Sequence, residues 1–169
     1  MNDQLYKARP PIILNTTMSS NIIDRIQLAI ERWNPWWQAE WHIPPFIDRE
    51  IMQEFSKILE LRHIKDILGI RRCGKTTFMT QIINNWVASG VDLHHILLVN
   101  CDDFILKDAD FNQILTAIRL ISPNITHLLL DEIQEKPGWE SWVRTLYDQA
   151  EFHQILLTGS NSSLLSDDV

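Results

Sequence analysis

The sequence lacks a long hydrophobic run, an excess of basic residues and a cysteine framework. No apolar stretch approaches the roughly 20 residues of a membrane-spanning helix, and the N-terminus does not have the composition of a secretory signal. The two cysteines, Cys73 and Cys101, and the six histidines follow neither metal-ligand nor disulfide spacing. This composition favours a cytoplasmic protein with reduced thiols, no membrane association and no zinc site.

Acidic residues outnumber basic ones. The 22 Asp and Glu residues against 15 Lys and Arg residues give a formal net charge of −7, whereas a free-standing nucleic-acid binder normally carries a large basic excess. We therefore do not expect the chain alone to bind nucleic acid. With 169 residues, 45% of them apolar, the chain can form one globular domain with a hydrophobic core, but is short for two.

Residues 69–76, GIRRCGKT, match the phosphate-binding pattern G-x-x-x-x-G-K-[ST] at every fixed position. The two glycines let the backbone bend closely around an anion, so that its N–H groups point at the phosphates. Lys75 adds a positive charge for the β- and γ-phosphates. The Thr76 hydroxyl can take one Mg²⁺ coordination position, and the helix that follows directs its positive end at the same anion. An ordinary glycine-containing turn is the less favoured alternative.

The surroundings of this loop support the phosphate-binding interpretation. An apolar run of strand length at 64–68 precedes the loop, and apolar residues at helical spacing follow it at 76–86. A second signal lies at 126–132, where an apolar strand ends in Asp131 and Glu132. In a phosphate-loop NTPase, Asp131 would support Mg²⁺ and Glu132 would orient or deprotonate the attacking water. The alternative is a strand that merely ends in a polar turn.

Strand and helix patterns alternate through the second half of the chain, which is typical of a parallel α/β sheet. Short apolar runs predict strands at 95–100 and 153–158. Apolar residues at helical spacing predict helices at 110–121 and 139–148.

Asp102 and Asp103 follow the predicted strand at 95–100, at the end where ligands of open α/β sheets bind. They could reach Mg²⁺ through water. A helix cap or a solvated loop is the favoured alternative for both side chains.

Four tryptophans lie within the nine residues 33–41, and so dense an aromatic group requires cover. One interpretation is a platform for a base or a protein partner. The favoured interpretation is that the segment packs onto the nucleotide-binding domain, because its acidic and uncharged neighbours make a poor surface for single-stranded nucleic acid.

Four motifs in a fixed order resemble the AAA+-type ATPases of archaea and bacteria, whose ATPase domain is usually followed by a C-terminal domain of unknown function. The motifs are GIRRCGKTT at 69–77, LLLDEIQE at 128–135, WESWVRTLYD at 139–148 and LLTGSNSSLL at 156–165. The NPWW segment before the loop is also similar to this family. The resemblance covers about residues 20–169.

The resemblance implies the α/β fold of a phosphate-loop NTPase: three layers, α/β/α, with a parallel sheet in strand order 2-3-4-1. We expect a flexible lead-in at 1–19, an N-terminal helical, tryptophan-rich segment at 20–60 and the ATPase domain at 61–169. The family continues with a fifth strand, a helical lid, an arginine contact to the γ-phosphate and the C-terminal domain. We therefore expect a truncated form that lacks the fifth strand, in which nucleotide binding is more robust than turnover.

Carried onto this sequence, the resemblance implies that the chain binds ATP and Mg²⁺. Lys75 and Glu132 would be the catalytic residues, and Thr76 and Asp131 would hold the metal. The implied nucleotide-binding positions are Gly69, Ile70, Arg71, Arg72, Cys73, Gly74, Lys75, Thr76, Thr77, Ser160 and Asn161. Ser160 or Asn161 would be the polar sensor at the end of the fourth strand.

The sequence therefore predicts an AAA+-type ATPase domain that binds ATP and hydrolyses it by in-line attack of water. Two alternatives stay open: a catalytically silent nucleotide-binding or interaction module, and a nucleic-acid-associated ATPase that uses the tryptophan segment. A protein partner or self-association is compatible with all three, because an exposed sheet edge beside the first strand would favour pairing.

Overall fold

A computed structural model describes residues 22–38 and 51–160. The α-helices of these ranges are α1 (Ile22–Trp33), α2 (Ile51–Leu59), α3 (Lys75–Ala88), α4 (Phe104–Asp108), α5 (Phe111–Ile121) and α6 (Trp139–Asp148). The strands are β1 (Ile64–Leu68), β2 (Ile96–Asn100), β3 (His127–Asp131) and β4 (Gln154–Gly159). No helix within these ranges is long and apolar enough to cross a membrane.

The four strands form one parallel sheet in the order β1-β4-β3-β2. This is the predicted order 2-3-4-1 read from the opposite edge, so the predicted α/β fold is confirmed. The central strands β3 and β4 are buried at every residue, as expected for strands covered on both faces. Because all four strands run in one direction, their carboxyl ends meet at one edge of the sheet, and the loop after β1 and the acidic end of β3 lie on either side of β4.

Helices cover both faces of the sheet. α3 packs on one face, and α1, α4, α5 and α6 pack on the other. The alternation of side chains along β3 shows the division, because Leu128 and Leu130 contact the four-helix layer whereas Leu129 contacts the layer of α3. The domain thus has the three layers α/β/α that the sequence predicts.

Local capping chemistry defines where several helices begin and end. Asp110 and Gln113 form a capping box at the start of α5, with hydrogen bonds of 2.8 and 3.1 Å between the side chain of each residue and the backbone N–H of the other. Gly90, with φ of 99°, follows the end of α3 in a conformation that favours glycine.

In the tryptophan-rich segment, the described residues 34–37 close the outer edge of β2. The side-chain amide of Asn34 accepts from Leu98 N–H at 2.7 Å and donates to Leu98 C=O at 2.8 Å, as a neighbouring strand would. The indole N–H groups of Trp36 and Trp37 donate to Ile96 C=O at 3.2 and 3.1 Å. The described tryptophans of this segment therefore pack against the domain, as the favoured interpretation holds; the fourth lies outside the described residues.

Candidate functional site

The loop between β1 and α3 encloses the side chain of Lys75. Lys75 is the first residue of α3, its side chain is 5% exposed, and its ammonium lies 3.3 Å from the Gly69 carbonyl oxygen. Arg72 and Gly74 adopt positive φ values of 68° and 88°. Left-handed residues of this kind occur in backbone nests, whose N–H groups bind anions. The loop therefore joins a buried cation to the N-terminus of a 14-residue helix.

The two glycines of the loop serve different purposes. Gly74 has the positive φ that glycine adopts without strain. Gly69 instead makes room, because a Cβ atom at this position would lie 2.6 Å from the Cys73 sulfur. The loop thus folds back on itself closely enough that a side chain at position 69 would displace Cys73.

Asp131 and Glu132 reach this loop from the carboxyl end of β3. The Thr76 hydroxyl lies 3.4 Å from Asp131 Oδ2, and the Lys75 ammonium lies 3.3 Å from Glu132 Oε1. Residues from two distant parts of the sequence therefore meet at one edge of the sheet. The structure brings together the four side chains to which the sequence assigns metal-binding and catalytic roles, and the roles themselves stay predictions.

Thr158 in β4 ties the two acidic residues to the sheet. Its hydroxyl donates to Asp131 Oδ1 and accepts from the Glu132 N–H at 3.1 Å. Glu132 has the left-handed conformation φ 50°, ψ 47°, so the chain turns sharply directly after β3. Sequence reasoning missed Thr158, although a polar residue at the end of the apolar run in β4 is a signal that could have identified it.

Burial changes the protonation behaviour of this site. Removal from solvent raises the pKa of Asp131, and the neighbouring charge of Glu132 adds to this effect; the hydroxyls of Thr158 and Thr76 and the ammonium of Lys75 act in the opposite direction. A buried carboxylate with a raised pKa next to a second carboxylate is typical of a functional site.

The other predicted nucleotide-binding positions that the structure describes lie around this centre. Five of these positions, in the loop and at the start of α3, have exposed side chains: Ile70, Arg71, Arg72, Cys73 and Thr77. The Ser160 hydroxyl, just beyond β4, lies 3.5 Å from Nε2 of Gln134. Asn161 lies outside the described residues.

Asp103 has a structural role at the carboxyl end of β2. Its carboxylate caps α4 by accepting from Ile105 N–H at 2.9 Å, and it also binds Arg32 at 2.5 Å and the Trp33 indole at 2.8 Å. The favoured alternative, a helix cap, is thus confirmed for this residue. Asp103 also anchors α1 to the sheet, which sequence reasoning did not foresee.

The strand, the glycine loop, the helix and the acidic end of a neighbouring strand define a phosphate-loop NTPase-like α/β domain. A family model described as an AAA domain matches residues 61–169. The chain belongs to this family.

Three relatives share part of the sequence. An uncharacterized protein of Haemophilus influenzae is 33% identical over 129 residues, which is 73% of this chain and 32% of that protein. Uncharacterized proteins of Methanocaldococcus jannaschii are 36% and 31% identical over 108 and 107 residues, which are 63% and 60% of this chain and 23% and 22% of those proteins. The chain thus spans less than a third of the length of these relatives. No solved structure gives a significant match.

Proposed function

We propose that the chain binds ATP together with Mg²⁺ and hydrolyses the ATP to ADP and phosphate. The observation that carries this proposal is the convergence of Lys75 and Thr76 from the loop with Asp131 and Glu132 from β3. Membership of the AAA domain family supports a nucleotide as the ligand.

The loop supplies the binding site for the triphosphate. Backbone N–H groups of residues 69–77 and the N-terminus of α3 would surround the β- and γ-phosphates, and the Lys75 ammonium would pair with their oxygens. Lys75 contacts Glu132 at 3.3 Å, so the phosphates compete with this carboxylate for the ammonium. Ser160 and Asn161 are proposed as the polar sensor near the γ-phosphate.

The oxygen atoms of Thr76 and Asp131 fit Mg²⁺. They lie 3.4 Å apart, both are of the hard type that this ion prefers, and Mg²⁺ is usually held by one or two protein side chains together with substrate phosphates and water. The part of the chain that the structure describes contains no group of three or more His, Cys, Asp or Glu residues that could hold a metal, which is compatible with a site completed by the substrate. When bound, the ion would neutralise charge on the phosphate oxygens.

Glu132 is the proposed base for hydrolysis. Its carboxylate would orient a water molecule in line with the γ-phosphorus and accept one of its protons. The water oxygen forms a bond to phosphorus while the bond from phosphorus to the bridging β–γ oxygen breaks, and ADP leaves with that electron pair. Lys75 would stabilise the charge that develops on the phosphate oxygens.

Steady-state release of phosphate from ATP tests this proposal. Glu132→Gln keeps the size of the side chain but removes the base, and we expect turnover to fall by about 100-fold or more while ATP still binds. Glu140→Gln, an exposed position on α6, is the matched control and should have wild-type turnover. Equal turnover by wild type and Glu132→Gln would leave the silent nucleotide-binding module as the better account.

We further propose that residues 61–169 are the ATPase domain and that 20–60 is a helical segment attached to it, of which residues 34–37 cover the outer edge of β2. The hydrogen bonds of Asn34, Trp36 and Trp37 to β2 support this assignment. The same hydrogen bonds favour packing of these tryptophans against the domain over the alternative in which they form a platform for nucleic acid. A cytoplasmic location is proposed from the two free cysteines, Cys73 and Cys101.

A further inference from the structure

We propose that Gln134 is a positioning residue that holds the Glu132 carboxylate in place for the activation of water. Its Nε2 atom donates to Glu132 Oε2 at 2.6 Å, while the other carboxylate oxygen, Oε1, faces Lys75. This inference rests on the proposed ATP hydrolysis, because it assigns a further residue to the same reaction.

The backbone after β3 brings this amide back onto the carboxylate. Glu132 is in the left-handed conformation, and a single turn of 3₁₀ helix, Ile133–Glu135, follows it. Ile133 is fully buried, and the Glu132 N–H is bound to Thr158. Glu132 and Ile133, which precede Gln134, are both anchored. The Gln134 side chain is directed toward Glu132, two positions before it, rather than into solvent.

The orientation of the Gln134 amide follows from its surroundings. Nε2 is the only donor of this side chain, and it faces Glu132 Oε2 at 2.6 Å and, at the longer distance of 3.5 Å, the Ser160 hydroxyl. A reversed amide would place its oxygen against a carboxylate. The amide therefore also connects Glu132 to the end of β4, where the polar sensor is proposed.

The Oε1 atom of Gln134 is buried and has no hydrogen-bond partner among the described residues. A buried acceptor without a partner destabilises the folded state, so an apolar side chain of similar volume would serve better if packing were the only requirement. Contact with the Glu132 carboxylate explains why an amide stands here.

The two donors to Glu132 differ in what happens when ATP binds. Lys75 is needed by the phosphates, so the contact to Oε1 is weakened as nucleotide enters the loop. The contact from Gln134 to Oε2 does not compete with phosphate. Gln134 would therefore be the donor that orients Glu132 while ATP is bound, and its loss should affect turnover more than nucleotide affinity.

Gln134→Leu tests this assignment, because leucine is of similar size and has no donor. We expect kcat to fall by about 10-fold or more, with KM and the dissociation constant of a fluorescent ATP analogue changed less than about 2-fold. Gln149→Leu, at an exposed position after α6, is the matched control. In a Glu132→Gln background, Gln134→Leu should have no further effect on kcat, since the group that it orients is gone.

These outcomes separate the two proposals. If Glu132→Gln abolishes turnover but Gln134→Leu turns over ATP like wild type, the role of Gln134 is refuted and the proposed function stands. If Glu132→Gln also turns over ATP like wild type, the proposed function fails. A drop in kcat that persists when Gln134→Leu is added to Glu132→Gln would indicate a structural role and overturn the inference.

A second measurement requires neither turnover nor the Gln134→Leu variant. It tests the inference even if the chain shows no detectable hydrolysis or the variant does not fold. The side-chain amide signals of Gln134 in a ¹H–¹⁵N spectrum should be shifted by the nearby carboxylate, and Glu132→Ala should remove this shift. Saturation with Mg²⁺ and a non-hydrolysable ATP analogue should leave it in place. Signals that are insensitive to Glu132→Ala, or that lose the shift when nucleotide binds, would overturn the inference.

Discussion

Thr76 Oγ1 and Asp131 Oδ2 lie 3.4 Å apart, although 55 residues separate them in the sequence. The loop after β1 and the end of β3 approach each other because β4 alone stands between their strands. This contact places a hydroxyl and a buried carboxylate where a divalent cation could bind both.

Asp131→Asn should increase stability and decrease metal-dependent binding. Burial raises the pKa of Asp131 above its ordinary value of 3.8. Above pH 3.8 the unfolded state loses this proton before the folded state does, so stability falls as the pH rises through the raised pKa. The substitution removes the buried charge, and we expect a larger free energy of unfolding in urea at pH 7.

The same variant should bind Mg²⁺ about 10- to 100-fold more weakly in the presence of ATP. Asp148→Asn, at an exposed position on α6, controls for the change in net charge. A less stable Asp131→Asn variant, or one with unchanged dependence on Mg²⁺, would contradict this account of the carboxylate.

Asn34→Ala should destabilise the domain by about 2–4 kcal/mol. The side-chain amide satisfies both the N–H and the C=O of Leu98 on the edge strand β2, and each buried backbone group left without a partner costs about 1–3 kcal/mol. Urea denaturation measures the loss. Asn124→Ala, at an exposed position, should remain within about 0.5 kcal/mol of wild type.

The freed edge of β2 gives this prediction a second outcome. An uncovered edge strand pairs with other chains, so Asn34→Ala should form larger species with rising protein concentration in light scattering. Wild-type stability together with a monodisperse variant would show that the Asn34 amide does not close the edge.

The fold and the main site residues could be predicted because they are contiguous patterns. The loop 69–76 is a local sequence whose glycines, lysine and threonine have fixed positions, and the resemblance to a known family supplied the strand order. Asp131 and Glu132 were predictable because an apolar run ends at these residues, and the carboxyl ends of parallel strands lie together.

Side-chain contacts that depend on the tertiary structure or on the backbone conformation of a turn could not be predicted in this way. Thr158 contacts Asp131 because β3 and β4 are neighbours, and Gln134 contacts Glu132 because the chain is left-handed at Glu132. The polar residue at the end of the apolar run in β4 marks Thr158 as a site residue, but nothing local identifies Asp131 as its partner. No local pattern predicts the left-handed backbone at Glu132. Asn34 likewise pairs with a strand 64 residues further along the chain, and its position beside a proline indicates only the end of a helix.

His127→Phe should remove part of the acid sensitivity of the fold. Burial lowers the pKa of His127 to about 4, and the charges of His153, His95 and Lys65 act in the same direction. Between pH 6.5 and 4 the unfolded state binds more protons than the folded state, so stability is lost as pH falls. This lowering of the pKa corresponds to a loss of about 3 kcal/mol in the free energy of unfolding at pH 4.

Phenylalanine keeps an aromatic ring beside Trp86, whose centroid lies 4.6 Å from that of His127. The difference in free energy of unfolding between wild type and His127→Phe should therefore shift by about 3 kcal/mol in favour of the variant when the pH is lowered from 7 to 4. If the free energy of unfolding of the two proteins changes with pH in parallel, His127 is not a buried histidine that stays neutral in the folded state.

Lys75, Asp131 and Glu132 are proposed to serve one nucleotide. Titration calorimetry with ATP and Mg²⁺ tests this most directly, on wild type, Lys75→Ala and the control Lys57→Ala, an exposed position on α2. We predict saturable binding by wild type and by Lys57→Ala, and binding that is about 10- to 100-fold weaker for Lys75→Ala, because hydrogen bonds to charged groups contribute about 1.5–3 kcal/mol. Equal affinity of Lys75→Ala and wild type, or no binding by wild type, would contradict the account.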